Sequence, residues 1–161
     1  MSTSANTQIV AKQPVVEVVL AAVSGFCISR DFVLFEALRF KEYRESGINR
    51  LSIGVQSFND KHLKALGRIH GAAEAISACE TAKAAGFDNF NIDLMHGLPD
   101  QTTADAVADV QQALDLLPTH LSYYQLTLEP NTFFAANPPK LPDEQMLADI
   151  QEAGKLSLIH I

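Results

Sequence analysis

The sequence is poor in cysteine, in positive charge and in long apolar runs. Its 161 residues contain two cysteines, Cys27 and Cys79, far apart in the chain. Such a pair offers neither a metal-ligand spacing nor a disulfide framework, which favours a reducing, cytoplasmic setting. Twelve Lys and Arg stand against 19 Asp and Glu, for a net charge of -7. An acidic chain lacks the clustered cations of a broad nucleic-acid surface, so no nucleic-acid partner is expected.

No apolar run is long enough to cross a bilayer as a helix. The most apolar stretch, Val15 to Val23, carries Glu17 and is far shorter than the ~20 residues of a transmembrane helix. A signal peptide is the alternative because Lys12 precedes the run, but Glu17 inside it favours a buried strand. The sequence also lacks a glycine-rich phosphate loop, a serine with a recognisable triad partner and a paired histidine spacing. It therefore predicts no metal site and no catalytic nucleophile.

The remaining composition, with 47% hydrophobic and 19% charged residues, is that of one soluble folded domain. The segment from Pro14 to Leu34 is valine-rich and consistent with one or two strands. Beyond it, apolar periodicity predicts helices over Glu36–Ser46, Asp60–Leu66, Ala72–Ala85, Thr103–Leu117 and Asp143–Ala153. Strands are predicted over Arg50–Phe58, Asn89–Met95 and His120–Glu129, with a loop over Pro130–Leu141.

Strands that alternate with helices predict parallel βαβ units. Two α/β architectures remain open, a (β/α) barrel and a doubly wound sheet. Both place their sites at the carboxyl ends of the strands. Polar residues follow the predicted strands at those ends, namely Gln56, Asp93 with His96, and Thr127 with Glu129. Their convergence predicts a binding site more strongly than any single residue does.

Asp93 is the strongest candidate, because a carboxylate on a strand that points into a core is costly unless it is paired. The alternative is that Asp93 caps the loop around Gly97. Gln56 suits the orientation of a small polar ligand. Arg68, after the short helix, is suited to hold a carboxylate through a bidentate fork, with a solvated surface role as the alternative. Cys79 is expected to be a small core residue of its helix.

Four segments, in this order and spacing, resemble a known family: RLSIGVQSF, LGRIH, NIDLMHGLPDQT and HLSYYQLTLEPNT. They are similar to the middle of radical S-adenosylmethionine (SAM) proteins of the oxygen-independent coproporphyrinogen III oxidase type. Within that type, LMHGLPDQ and YYQLTLEPNT favour the branch of heme chaperones, HemW. The similarity extends from about Glu36 to Gly154.

The resemblance implies part of a radical SAM (β/α)6 barrel, with SAM and a [4Fe-4S] cluster at its carboxyl-end mouth and heme as cargo. Gln56, Arg68 and Asp93 match residues that contact SAM in the family, and Thr127 matches a further contact position that varies among relatives. The implied partners are small molecules, SAM and heme or porphyrin, together with a heme-accepting protein that the sequence does not specify. The implied location is the cytoplasm.

The sequence also departs from the family pattern, and these departures are as informative as the similarities. The family holds its cluster with three cysteines in a C-x-x-x-C-x-x-C motif, and Cys27 and Cys79 do not form one. The Glu-Ala-Asn-Pro turn, the glycine-rich SAM loop and the HNxxYW segment are also missing. The sequence thus predicts an unassigned segment over residues 1–35, a central radical SAM core over 36–155 and a foreign or disordered tail over 156–161.

Three hypotheses follow from this pattern. The first is a fragment, or a disrupted reading frame, of a HemW-like heme chaperone. The second is a fragment of a coproporphyrinogen III dehydrogenase that decarboxylates propionate side chains by radical chemistry. The third is an inert remnant that keeps the fold and binds no cluster.

Overall fold

A computed structural model describes residues 17–21 and 30–159 of the chain. It contains an α/β arrangement in which strands and helices alternate. The elements are β1 (Glu17–Ala21), α1 (Arg30–Glu45), β2 (Arg50–Gln56), α2 (Asp60–Ala65), α3 (Ala72–Ala84), β3 (Phe90–His96), α4 (Thr103–Asp115), β4 (His120–Gln125), α5 (Phe133–Ala136) and α6 (Glu144–Ile159). Residues 1–16 and 22–29, which include Cys27, lie outside the description, as do residues 160–161.

The four strands form one parallel sheet in the order β1-β2-β3-β4. Spatial order therefore follows chain order, without the reversal that marks a doubly wound sheet. Sequential parallel strands joined by helices form the wall of a (β/α) barrel. Of the two architectures left open by the pattern of elements, the structure matches a partial barrel, as the family resemblance implies.

One face of the sheet is apolar and covered by helices. Alternate residues of β2 and β3 point to this face, and its cluster includes Ile53 and Ile92 with Phe40 of α1, Cys79 of α3 and Val110 of α4. Full burial of each large apolar side chain contributes about 1.5–3 kcal/mol relative to exposure. Cys79 has no exposed surface, which confirms its prediction as a core residue. This cluster fixes the strand register, because a slip of one residue would turn the apolar set to the opposite face.

Three helix ends carry residues that are typical of helix caps. Asn59 Oδ1 accepts a hydrogen bond of 3.0 Å from the Lys61 backbone N–H and caps α2. Gly47 and Gly86 follow α1 and α3 with φ of 88° and 85°, the left-handed conformation for which glycine is the preferred residue at a helix end.

Other boundaries differ from the sequence prediction. Helix α1 begins at Arg30, before the predicted Glu36. Strand β4 ends at Gln125 and not at Glu129, because β3 ends at His96. The Leu126 backbone N–H donates to the His96 carbonyl over 2.8 Å, and no residue of β3 remains beyond it to pair with. The predicted loop after Pro130 contains the short helix α5.

Helix α6 continues past its predicted end at Ala153 to Ile159. Residues 156–159 are therefore helical, and Leu158 packs against the apolar cluster. The tail is thus not disordered over those residues, and its foreign origin stays a prediction, as does the division of the chain at residues 35 and 155. Strand β1 confirms a strand within the valine-rich segment. None of the helices in the two described ranges has the length and apolar character of a membrane span.

Candidate functional site

Polar side chains occupy the face of the sheet opposite the apolar cluster. We call this the polar face, formed by Ser52 and Gln56 of β2, Asn91 and Asp93 of β3, and Ser122 and Tyr124 of β4. These residues alternate along each strand with the buried apolar residues, and the register sets Ser52 beside Asn91 and Asp93 beside Ser122. Neighbouring strands lie about 4.8 Å apart, so short polar side chains on adjacent strands can bond directly.

Asp93 is held by hydrogen bonds to both oxygens of its carboxylate. The Asn91 amide donates to Oδ1 over 2.7 Å, and the Ser52 hydroxyl donates to Oδ2 over 3.0 Å. These bonds run along and across the strands and not to the turn at Gly97. Within the described ranges the carboxylate accepts these two hydrogen bonds, and its further lone pairs can accept from a ligand. The arrangement thus fits Asp93 as a ligand-binding residue better than Asp93 as a cap of the loop.

Asn91 is the centre of this network. Its amide nitrogen also donates to Ser52 Oγ over 2.8 Å, while its carbonyl oxygen accepts from Ser122 Oγ over 3.2 Å. One buried side chain therefore joins β2, β3 and β4 beneath Asp93. Because a buried amide is costly unless its hydrogen bonds are made, the network favours one orientation of the carboxylate.

Gln56 ends β2 in an unusual backbone conformation, with φ of 73°. The ladder between β2 and β3 shifts its register between Ile53 and Gln56, which turns the last residue of the strand. The Gln56 side chain is buried, and its Oε1 accepts a hydrogen bond of 2.8 Å from the Tyr124 hydroxyl. Left-handed backbone in a residue other than glycine is uncommon and is retained where the surroundings fix it.

A buried carboxylate on α4 fixes the chain just after Gln56. Asp109 Oδ2 accepts from Ser57 Oγ over 2.7 Å, and Oδ1 accepts from the Phe58 backbone N–H over 2.7 Å. Burial raises the pKa of Asp109, while the bonds from Ser57 and Phe58 act in the opposite direction. The connection from β2 to α2 is thereby tied to α4, which limits the movement of Gln56.

Arg68 lies after α2 at a glycine turn, where its backbone N–H donates to the Leu63 carbonyl over 2.9 Å. Its guanidinium approaches the Gly54 carbonyl of β2 over 3.5 Å. Burial lowers the pKa of Arg68 from its usual value, and the nearby Tyr124 acts in the opposite direction. An arginine nonetheless remains charged at neutral pH. The positive charge therefore lies beside the polar face.

Tyr124 connects the three predicted site residues. Burial raises the pKa of its phenol most, the hydrogen bond to Gln56 lowers it, the charge of Asp93 raises it and that of Arg68 lowers it. The hydroxyl therefore bonds to Gln56 and lies within electrostatic range of Asp93 and Arg68. The structure places Gln56 and Asp93 on one face of the sheet and Arg68 beside it, at the Gly54 carbonyl.

Thr127 makes its side-chain hydrogen bond outside this group. It follows β4 in an exposed position, and its hydroxyl donates to Glu129 Oε1 over 3.0 Å. His96 is also absent from the polar face, because it is buried on the helix side and stacks on Tyr123 with ring centroids 4.6 Å apart. Burial lowers the pKa of His96 below its usual value. The structure thus gives His96 a packing role.

Sequence reasoning missed Ser52, Asn91, Ser122 and Tyr124 as members of the site. The signal that reveals them is the two-residue period of a strand, since each stands two or four positions from a predicted site residue or from another member. Two consecutive tyrosines lie on opposite faces of β4. Tyr123 packs against the apolar cluster, whereas Tyr124 belongs to the polar face and is 41% exposed.

The polar groups of Asp93, Gln56 and Arg68 fit SAM better than they fit an iron-sulfur cluster. A carboxylate, an amide and a guanidinium complement the ammonium, hydroxyl and carboxylate groups of SAM. A cluster requires several reactive thiolates, whereas burial raises the pKa of the Cys79 thiol to about 12. Among the residues that the structure describes, no three His, Cys, Asp or Glu side chains are grouped to hold a metal ion.

A wall of sequential parallel strands, with a polar face that extends from the middle of the strands to Gln56 and Tyr124 near their carboxyl ends, defines an α/β protein of the barrel class. The model of the Radical SAM superfamily matches residues 23–113, more than half of the sequence. The chain belongs to this superfamily, whose members use SAM and a [4Fe-4S] cluster.

Curated relatives specify the branch of the superfamily. The chain is 60% identical over 119 residues to the heme chaperone HemW of Haemophilus influenzae, covering 74% of this chain and 31% of the relative. It is 56% identical to the heme chaperone HemW of Escherichia coli, covering 74% and 32%. The chain thus spans about a third of the length of these relatives.

A solved structure shows the same fold. Coproporphyrinogen III oxidase (HemN) from Escherichia coli, described as a radical SAM enzyme, superimposes with a TM-score of 0.71 at 27% identity. The match covers 89% of this chain and 31% of that one. The predicted family and the partial-barrel fold are thereby confirmed.

Proposed function

We propose that this chain forms the central SAM-binding part of a HemW-like heme chaperone, a cytoplasmic protein of heme metabolism. The observation that carries the proposal is the placement of Gln56 and Asp93 on the polar face, with the Tyr124 hydroxyl bonded to Gln56 and the Arg68 guanidinium at the Gly54 carbonyl of the same strand. These three residues stand at the positions that the family resemblance assigns to SAM contacts. The identity of 60% and 56% with two HemW chaperones supports the chaperone branch.

Each residue has a distinct role in this proposal. Asp93, oriented by Asn91 and Ser52, accepts hydrogen bonds from hydroxyl or ammonium groups of SAM. Arg68 neutralises the SAM carboxylate, and Gln56 fixes its orientation. Thr127 is a fourth proposed contact that would have to approach from its exposed position. Together with its cluster, SAM supplies the radical chemistry of the superfamily.

Binding of SAM by this chain, measured by isothermal titration calorimetry, tests the proposal. We expect Asp93→Ala to weaken the affinity by about ten- to a hundredfold, since a hydrogen bond to a charged group contributes about 1.5–3 kcal/mol. Asp88→Ala, which removes an exposed carboxylate outside the polar face, is the matched control and should leave the affinity unchanged. Equal affinities of both variants and the unsubstituted chain would exclude Asp93 from the site.

Heme binding separates the chaperone from the alternative enzyme. The similarity to coproporphyrinogen III oxidase supports a second candidate, the dehydrogenase that acts on coproporphyrinogen III. Titration with heme, followed by the Soret band, should give stoichiometric tight binding for a chaperone. Tight binding of coproporphyrin III with weak binding of heme would favour the dehydrogenase.

We further propose that this chain by itself assembles no [4Fe-4S] cluster, because Cys27 and Cys79 cannot replace three closely spaced thiolates. Anaerobic reconstitution with iron and sulfide should then leave no stoichiometric cluster absorbance. A stoichiometric cluster would contradict this part of the proposal and leave the SAM site untouched.

A further inference from the structure

Tyr124 lies across the polar face and not along its own strand. Its hydroxyl bonds to Gln56 on β2 over 2.8 Å, although β3 separates β4 from β2 in the sheet. Two strand spacings amount to about 10 Å, so the phenol ring must extend over β3 on the side that carries Asp93. The electrostatic effects of Asp93 and Arg68 on Tyr124 agree with this position.

The direction of this hydrogen bond determines what Gln56 offers to a ligand. The Tyr124 hydroxyl donates to Oε1 of the amide. Burial raises the pKa of Tyr124, so the phenol keeps its proton at neutral pH and stays a donor. With Oε1 engaged, the Nε2 hydrogens are the groups of this amide left to contact a ligand. Gln56 then presents a donor, as Arg68 does, while Asp93 presents an acceptor.

The backbone and the side chain of Gln56 are fixed by different contacts. It has a φ of 73° and follows a shift in the strand register. Asp109 ties down the residues after it but does not bond to the Gln56 side chain. Among the residues that the structure describes, Tyr124 is the hydrogen-bond partner of the Gln56 amide, and this contact orients it.

We infer that Tyr124 is a positioning residue, which turns the Gln56 amide so that Nε2 donates a hydrogen bond to an acceptor group of the bound ligand. The inference rests on the proposed SAM site. It assigns a role to the tyrosine hydroxyl and a chemical class, a hydrogen-bond acceptor, to the ligand group that meets Gln56.

Two substitutions separate the two ends of this interaction. Tyr124→Phe keeps the ring and removes the hydroxyl, so the amide is free to turn. Gln56→Glu keeps an acceptor for Tyr124 and removes the Nε2 donor. We expect Tyr124→Phe to weaken SAM binding about three- to tenfold, the effect of one neutral hydrogen bond. Gln56→Glu should weaken it more, because it also places a second carboxylate near Asp93 and the SAM carboxylate. The double variant should lose little more than Gln56→Glu alone, because Tyr124 acts through Gln56.

Tyr43→Phe is the matched control. The Tyr43 hydroxyl also makes a hydrogen bond, with Arg39 over 2.9 Å, and its ring packs against the apolar cluster on the other side of the sheet. Its removal should not change SAM affinity. Losses that add in the double variant, or a Tyr124→Phe chain that binds SAM like the unsubstituted chain, would overturn the inference.

A second measurement needs no ligand. The side-chain amide of Gln56 can be assigned in a nitrogen-15 NMR spectrum by its disappearance in Gln56→Glu. Tyr124→Phe should shift this resonance, whereas Tyr43→Phe should not. If the unsubstituted chain fails to bind SAM, the proposed function fails, and an unshifted Gln56 resonance then refutes the positioning role separately. Thermal unfolding of each variant verifies that the chain is folded.

Discussion

Replacement of Asn91 by alanine tests the polar network most directly. The change removes one hydrogen bond to a carboxylate, at 2.7 Å from Asp93, and two to the hydroxyls of Ser52 and Ser122. The first contributes about 1.5–3 kcal/mol and each of the others about 0.5–1.5 kcal/mol. Asp93 and Ser122 are only half-buried, so water replaces part of the loss. We expect the free energy of unfolding to fall by about 3 kcal/mol.

Urea denaturation at neutral pH, followed by circular dichroism, measures this difference. Gln145→Ala is the control, because Gln145 also donates to a carboxylate, Asp149, over 2.9 Å, but at an exposed site. We expect Gln145→Ala to lower the free energy of unfolding by less than about 0.5 kcal/mol. If Asn91→Ala lowered the free energy of unfolding as little as Gln145→Ala does, the network would not stabilise the fold. The argument from buried hydrogen bonds would then be refuted.

The nearly isosteric change Asn91→Asp adds a pH test of the same network. It places a second carboxylate within hydrogen-bond distance of Asp93, which raises the pKa of the pair. A raised folded-state pKa means that stability is present at low pH and is lost as the pH rises through that value. The destabilisation should therefore grow between pH 4 and pH 7, roughly the range over which such carboxyl pairs titrate. A difference that does not vary with pH would show that the two carboxylates do not meet.

Three further predictions address the capping, the turns and the cysteine. Hydrogen bonds within the capping box of α4 lower the pKa of Asp105, so its stabilisation is present above the unfolded pKa of about 3.9 and is lost as the pH falls through the lowered value. Asp105→Ala should cost about 1 kcal/mol at pH 7, less where salt screens the charge, and little in acid, as judged from denaturation at both pH values.

Gly97→Ala should lower the melting temperature of the chain more than Gly47→Ala. Both glycines have positive φ, but an added Cβ at Gly97 would lie 2.7 Å from a leucine carbon, whereas nothing lies within 4 Å at Gly47. Equal melting temperatures of the two variants would contradict this prediction. Cys79, in a Cys27→Ser background, should react with a thiol reagent only on unfolding.

The sequence was informative where the local pattern agrees with the tertiary structure. The helix between Ala72 and Ala85 was predicted almost to the residue, because a glycine follows it at the place of a left-handed cap. The strand ends at β4 and the length of α6 were missed, since both depend on neighbours. β4 ends where β3 has no further residue to pair with, and α6 extends to residues whose side chains, such as Leu158, pack against the apolar cluster.

The candidate site divides in the same way. Gln56, Arg68 and Asp93 were identified from strand ends and family motifs; Gln56 and Asp93 lie on the polar face and Arg68 lies beside it. His96 stands near Asp93 in sequence yet faces the helices, because successive side chains of a strand alternate between its faces. Thr127 lies beyond the end of β4 and bonds to Glu129, and its role as a SAM contact stays a prediction.

By itself, the sequence determined the class of protein, the alternation of strands and helices and the residues that carry polar chemistry, because periodicity, caps and motifs are properties of neighbouring residues. Only the tertiary structure decided how Asp93 is satisfied, through Asn91 and Ser52, and which tyrosine joins the site. Tyr124 and Gln56 are 68 positions apart and meet only because the parallel sheet sets β2, β3 and β4 side by side. Contacts of this kind depend on strand register across the sheet, which no local pattern contains.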